Sequence, residues 1–496
     1  MEISMKLKKA RQYESEQSKK INQAEKPVFH MSVPVGWMND PNGFSMFRGI
    51  CHLFFQYHPY DTTWGPMHWG HCTTNDFIQW EIQPCALAPD MEYDKDGCFS
   101  GTALEWNGQH VLMYTGVNET KEKGKKTSVK QTQCIAFGNG TDYCKIEKNP
   151  VIDVDLLPKG SSACDFRDPK IWKDEKGFWA LVGSLNEDGS GQLALFHSAN
   201  LIDWKFIKML DYCRNEYGKM WECPDFFSLD GRQVLLVSPQ FMMTDGKEFH
   251  NGNNSIYFVG DYDKETLDWK RDTPHMVDFG MDFYAPQTLE YKDGRRIMIA
   301  WLQSWDSYMA PESYQWIGTA TIPRELEVKN GRLIQNPVRE LKNYRKNQVL
   351  WGAYELYKWD GMVQIPDVKG RCLDLIVSLS GEEYQTFSIY MAANEIYHTV
   401  LRYEREKGVI TMDRTFCGMR RDYITTRSMK IEQEDTKSIY LRILLDKNSI
   451  ELFVNHGEYA MSTLIYTPLQ AEQIYFETDG SVKMDIEKYD IIVKKE

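Results

Sequence analysis

Residues 37–58 read WMNDPNGFSMFRGICHLFFQYH, and two turns in that run set the fold. Asp40, Pro41, Asn42 and Gly43 are turn formers: proline presets its own φ, asparagine tolerates the left-handed region, and an aspartate side chain caps the turn. Nine residues after Asp40 comes a second turn at Gly49, followed by a short apolar run. The same layout recurs at Gly108 (WNGQHVLMYTG), Gly177 (EKGFWALVGS), Gly231 (LDGRQVLLVSP) and Gly294 (KDGRRIMIAW). These glycines stand 59, 69, 54 and 63 residues apart. Short apolar runs between Gly and Asp turns, without sustained helical periodicity, predict an all-β chain. A period long enough for four strands and their loops predicts a five-bladed β-propeller. A long sandwich or a β-helix competes, but neither requires a period of this size.

Counting back nine residues from each turn glycine gives Asp40, Phe99, Asp168, Glu222 and Ala285. Three carboxylates thus fall at one offset in three repeats, in the segments WMNDPNG, CDFRDPKIW and KMWECPDFF. A lone acid in such a loop is most simply a solvated turn residue. Three at one offset, beside Pro or Cys-Pro and near aromatics, predict a site facing one central cavity.

The ends of the chain read differently. Residues 4–22 are rich in Lys, Glu, Gln and Ala and predict a surface helix within an N-terminal extension, 1–29. The repeats fill a catalytic domain, 30–345, and the polar stretch near 340–355 marks the boundary. Beyond it, runs such as RCLDLIVSLS, TFSIYMAANE and SIYLRILLDKNSIELFVNHG alternate as antiparallel strands with hairpins, which predicts a C-terminal β-sandwich over 355–496.

Composition narrows the partners. At 496 residues, 42% hydrophobic and 26% charged, the chain is a multi-domain globular protein. A formal net charge of −13 argues against nucleic acid or an anionic membrane as partner. Fifteen Trp, 27 Tyr and 23 Phe suit sheet packing and faces that stack on sugars. No apolar stretch is long enough for a transmembrane helix, and the N-terminal stretch lacks the apolar core of a secretory signal. Eleven cysteines, an odd number without paired spacing, favour free thiols and a cytoplasmic location. The sequons at Asn118, Asn139 and Asn253 are then chance matches.

Paired carboxylates flanking a sugar linkage divide into a nucleophile and a general acid. Glu starts with the higher intrinsic pKa, and apolar walls or a neighbouring carboxylate raise it further. Glu222, beside Trp221 and Cys223, is the natural proton donor, and Asp40 the attacking carboxylate. Asn39 and Asn42 suit hydroxyl binding, or fixing the carboxylate without adding charge. Arg167, meeting Asp168 in space, would keep that third acid ionised and fit to grip sugar hydroxyls in the transition state. A divalent metal on the three acids is the competing reading, without DxDxD or HExxH spacing to support it. His68 and His71 lie at i and i+3, where strand side chains face opposite ways; Trp64, Trp69 and His68 read as an aromatic wall or a structural cluster. A Cys–His nucleophilic pair stays open, with no elbow-like motif behind it.

The blocks WMNDPNG, FRDP and WECPDFF, with HWGHCTTNDFIQWE, GCFSGTA, DFYAPQT and IPRELEVKNGRLIQNPVREL, resemble glycoside hydrolase family 32, the β-fructofuranosidases, in order and content from His30 to Leu341. The resemblance implies a five-bladed propeller followed by a β-sandwich, and release of terminal β-fructofuranosyl residues with retention through a fructosyl-enzyme intermediate. It assigns Asp40 as nucleophile, Asp168 as transition-state stabiliser and Glu222 as acid/base. Asn39, Gln56, Trp64, Phe99, Ser100 and Arg167 match positions that line the fructose pocket in relatives. Tyr284 and Trp301 are further pocket candidates, with blade core as the competing reading. Neither cofactor nor metal is implied. Sucrose and short fructooligosaccharides are the expected substrates, with sucrose 6-phosphate or the ends of fructans as alternatives. A carbohydrate-binding propeller without activity is the reading from another class. The C-terminal domain leaves room for a homodimer.

Overall fold

The computed structural model of the protein describes residues 3–122, 125–419, 423–432 and 437–494. A helix, Met5–Gln17, opens the chain, its first turn capped by the Ser4 side chain accepting from Leu7 N at 3.1 Å. It docks through Arg11, which donates to Cys85 O (2.8 Å) and Asp142 (2.7 Å). The chain's other regular elements are short 3-10 turns and strands, the strands forming seven sheets among the described residues. Among the described residues no helix is long and apolar enough to cross a membrane.

Five sheets follow one another between residues 36 and 337, each opening on a strand that carries one of the five counted positions. These first strands are Gly36–Phe47, Gly97–Trp106, Phe166–Asp174, Trp221–Leu229 and Tyr284–Glu290. Each contacts the first strand of the next sheet, and the fifth contacts the first. The short strand Trp316–Ile317 returns to pair in parallel with Gly36 and Trp37 at the edge of the first sheet.

All five first strands break register at the same place. Asn39 and Asp40 oppose Gln56, Ser100 is extra between Phe99 and Gly101, and Asp168–Pro169, Cys223–Pro224 and Ala285–Pro286 each oppose one residue of the neighbouring strand. Such bulges tolerate proline, which has no N–H for the ladder, and re-aim the side chains beside them. Asp168, Cys223 and Ala285 take positive φ of 66°, 48° and 53° to make the kink. The register corrects one expectation. Asp168 sits in its bulge, whereas Glu222 stands just before its own, at the place held by Arg167 and Tyr284 in the flanking sheets. The offset from the turn glycine hides this, because Pro224 lies seven residues before Gly231 while Pro169 lies eight before Gly177.

Two further sheets follow. One orders strands Arg345–Tyr357, Ser481–Ile491, Leu373–Ser380, Ser438–Asp446, Ser449–Val454 and Tyr459–Leu464. The other orders Thr426–Lys430, Val409–Phe416, His398–Glu404, Thr386–Ala393 and Gln473–Thr478. Alternate residues of both, such as Leu375, Val377 and Leu379 with Phe387, Ile389 and Met391, share one apolar cluster. The polar stretch expected to be a boundary is the edge strand Arg345–Tyr357 of the first of these sheets. It reads as polar because most of its residues face water.

A seam of buried charge joins the two halves. Arg324 donates to Glu451 (2.5 Å), Asp278 (3.0 Å) and Ser462 (2.7 Å), and His30 sits between Asp446 (2.9 Å) and Glu451 (2.8 Å). Arg414 pairs with Asp282 and donates to Ser307 Oγ at 2.6 Å. A buried charge is tolerated only when paired and hydrogen-bonded in this way.

Candidate active site

The bulged ends of four first strands open into a cavity of about 580 Å3. Asn39, Asp40, Gln56, Trp64, Phe99, Ser100, Arg167, Asp168 and Glu222 line it, so the structure brings together all three acids and the six residues expected around them. Trp64 is half exposed and packs edge-on against Phe99 at 5.9 Å.

Asp40 is positioned through a relay. Trp37 Nε1 donates to Asn39 Oδ1 (2.9 Å), which turns the Asn39 amide nitrogen toward Asp40 Oδ1 (3.1 Å). Ser100 Oγ donates to Asp40 Oδ2 at 2.8 Å, and the Cys223 thiol lies 3.6 Å from the same oxygen. Burial and then the charge of Glu222 push the Asp40 carboxyl up to about 6, against the pull of these donors.

Arg167 takes a different partner from the one its sequence position suggests. Its Nε and Nη2 each donate to Glu222 Oε1 at 3.0 Å and its Nη1 to Asp165 at 3.1 Å, while Asp168 lies 4.0 Å away. Asp168 instead accepts from the backbone N–H of Cys223 at 3.0 Å. Its carboxyl is raised, first by burial and then by Glu222 and Asp40, with Arg167 pulling the other way. On the other side of Glu222, the Tyr284 hydroxyl lies 2.7 Å from Oε2 and 3.0 Å from the carbonyl oxygen of Ser238. Arg167, Glu222 and Tyr284, equivalent residues of three adjacent sheets, thus bond side by side.

Three expectations need correction. Trp301 is fully buried behind Trp37 (5.9 Å between ring centroids) and does not line the cavity. Asn42 is also fully buried and does not line the cavity; it sits against Gln56 and against Ser100, the residue that bonds Asp40. Tyr284 is buried too and acts on the cavity only through Glu222. Sequence reading missed Glu119, Gln131, Asp165, Gln240, Phe241 and Trp305 in the lining. They come from second and third strands and from loops that carry no repeat signal. Asn253, set aside as a sequon, also lines the cavity; its backbone and side-chain nitrogens are held by Asp306.

His68 and His71 do not meet at a shared ligand position. His68 bonds Pro66 O at 3.0 Å, while His71 is stacked on Phe54 (4.3 Å) and bonded to His52 (2.9 Å). Among the described residues no three His, Cys, Asp or Glu side chains are grouped to hold a metal ion.

Comparison with known proteins agrees along the whole length. The pattern of the glycosyl hydrolases family 32 N-terminal domain matches residues 30–337, and that of the family 32 C-terminal domain matches 340–492. A raffinose invertase of Escherichia coli is 34% identical over 90% of this chain and 91% of its own. A sucrose-6-phosphate hydrolase of Escherichia coli is 36% identical over 92% of each. The solved structure of a Bombyx mori GH32 β-fructofuranosidase superposes with a TM-score of 0.84 at 32% identity, covering 98% of both chains. A cavity of paired carboxylates, in a chain matched end to end by these glycosidases, is that of an enzyme, and the chain belongs to glycoside hydrolase family 32.

Proposed function

We propose that the chain is a retaining glycosidase that cleaves the fructosyl bond of sucrose-like sugars, sucrose 6-phosphate foremost. In this reading the five N-terminal sheets close as a propeller around the acids, and the two later sheets form a sandwich beginning near residue 340. The ring of contacts among the five first strands supports closure. The observation that carries the chemistry is Asp40 and Glu222 in one cavity, close enough for the charge of Glu222 to push the Asp40 carboxyl up.

Asp40, oriented by Asn39 and Ser100, attacks the anomeric carbon of the fructosyl unit. Glu222 gives its proton to the departing oxygen and then takes one from the water that releases the sugar. Tyr284 suits it to both duties. When Glu222 is a carboxylate, the tyrosine hydroxyl donates to it. When Glu222 carries the proton, that hydroxyl turns to donate to the Ser238 carbonyl, and the acid's proton stays free for the departing oxygen. Arg167 fixes the other oxygen and balances charge. Asp168, pinned by the Cys223 N–H, holds sugar hydroxyls as the ring flattens.

The choice of sucrose 6-phosphate rests on the hydrolase of that name among the relatives. One observation favours plain sucrose: Arg167 is the single cation among the described lining residues, and Glu222 and Asp165 already engage it. Steady-state kcat/KM on sucrose, sucrose 6-phosphate and 1-kestose decides. A preference of about tenfold or more for the phosphorylated sugar, the worth of one good charged contact, supports the first reading, and parity or a preference for sucrose supports the second. Asp40→Ala is expected to abolish turnover with the fold intact by circular dichroism; activity beyond a few per cent of the parent would sink the nucleophile assignment.

A further inference from the structure

The C-terminal halves of the same first strands, at the far end from Asp40 and Glu222, surround a second cavity of about 520 Å3. Its chemistry is unlike that of the first. Lys170, Lys173, Lys264 and Arg296 line it beside Trp172 and Phe226, whose rings pack at 6.1 Å. Three acids line it too: Glu105, which accepts from Arg48 N at 3.0 Å, Asp174, which accepts from Trp179 Nε1 at 2.8 Å, and Glu290.

The two inner cations are unevenly balanced. Lys170 Nζ lies 2.8 Å from Asp225 Oδ1 and donates to Thr288 O at 3.3 Å. The other oxygen of Asp225 accepts from the Thr288 N–H (2.7 Å) and hydroxyl (3.0 Å). That buried carboxylate is therefore spent. Arg296 packs its guanidinium on the Phe227 ring at 4.6 Å; it feels the charge of Asp225 and has its ion pair at 3.5 Å with Glu290, whose own side chain is 71% exposed. Burial pushes both Lys170 and Arg296 down from their ordinary values, and the charge of Arg296 adds to the effect on Lys170. A guanidinium fork beside an ammonium, in a walled cavity with aromatic faces, matches a tetrahedral oxyanion better than a neutral sugar.

We propose that this second cavity binds a phosphoryl anion, either inorganic phosphate or the phosphate ester of a small sugar, held by Arg296 and Lys170 and approached past Lys173 and Lys264. The site is separate from the acids at the other end, and its occupancy does not depend on which sugar they cleave.

Calorimetric titration of inorganic phosphate and of glucose 6-phosphate into the full-length protein tests it. Both are expected to bind, and Arg296→Gln to weaken both by about tenfold or more while kcat/KM on sucrose or sucrose 6-phosphate stays within about twofold of the parent. Tighter binding of the ester than of phosphate identifies the sugar ester as ligand; equal binding identifies the free anion. Lys264→Ala, an exposed change that leaves the fold alone, is expected to weaken binding about threefold and serves if the Arg296 variant does not fold. Failure of wild-type protein to bind either anion, or binding that survives both substitutions unchanged, would overturn the proposal. Neither result would bear on the catalytic reading, which is measured by turnover.

Discussion

Asp40 is pulled one way by Asn39 and Ser100 and pushed the other by burial and Glu222, and it settles at about 6. A nucleophile must be unprotonated, so kcat/KM is expected to fall toward tenfold per unit as pH drops below that value. A pH–rate profile flat down to about pH 4, the range of an ordinary carboxylate, would contradict the geometry. Tyr284 gives a second test. Tyr284→Phe removes the hydroxyl that bonds Glu222, so kcat is expected to fall about 10- to 100-fold with KM little changed. A loss confined to thermal stability would mark Tyr284 as packing alone.

The bulged strand is the element that makes the site, and it was only partly legible. Turn glycines and apolar runs expose the repeat because both are fixed by backbone geometry. The bulge leaves a weaker trace, the X-Pro step, and the step at Pro224 is one residue out of phase with the others. That is why Glu222 looked equivalent to Asp40 and Asp168 when its counterparts are Arg167 and Tyr284. Trp301 could not be told from a pocket residue because core and cavity walls use the same aromatic side chains. Glu119 and Gln131 carry no signal at all, lying on inner strands whose facing depends on how neighbouring sheets pack. Close packing between sheets also depends on Gly183, which pairs with Arg167; a Cβ there would lie 2.6 Å from Trp221 O and 2.9 Å from Met220 Cε. Gly183→Ala is expected to push the Arg167 and Glu222 strands apart and lower kcat by about 10- to 100-fold while the protein still folds. Unchanged kcat would show that the strands tolerate the shift.

Across the whole molecule, the N-terminal segment and the two halves meet at His30. Its two carboxylate partners outweigh burial and hold its pKa up to about 9. Folding therefore takes up a proton between the ordinary histidine value and about 9, and this contribution is complete below about 6.5 and lost as pH rises through about 9. The melting temperature is expected to decline across that interval, and His30→Gln to flatten the decline. An identical slope in the variant would place the titration elsewhere.

The same seam restricts how the gene can be divided. Arg324, Asp278 and Asp282 come from one half, and Glu451, Asp446 and Arg414 from the other. Backbone approaches as tight as Gly280 against Ser462, where a Cβ would lie 2.0 Å from a carbonyl oxygen, leave no room for a looser fit. Expressed as two separate polypeptides, the halves would each expose unpaired charge and a bare apolar face. They would be obligate partners, recovered only when made together, and a C-terminal half borrowed from a cousin would succeed only if it carried the matching charges.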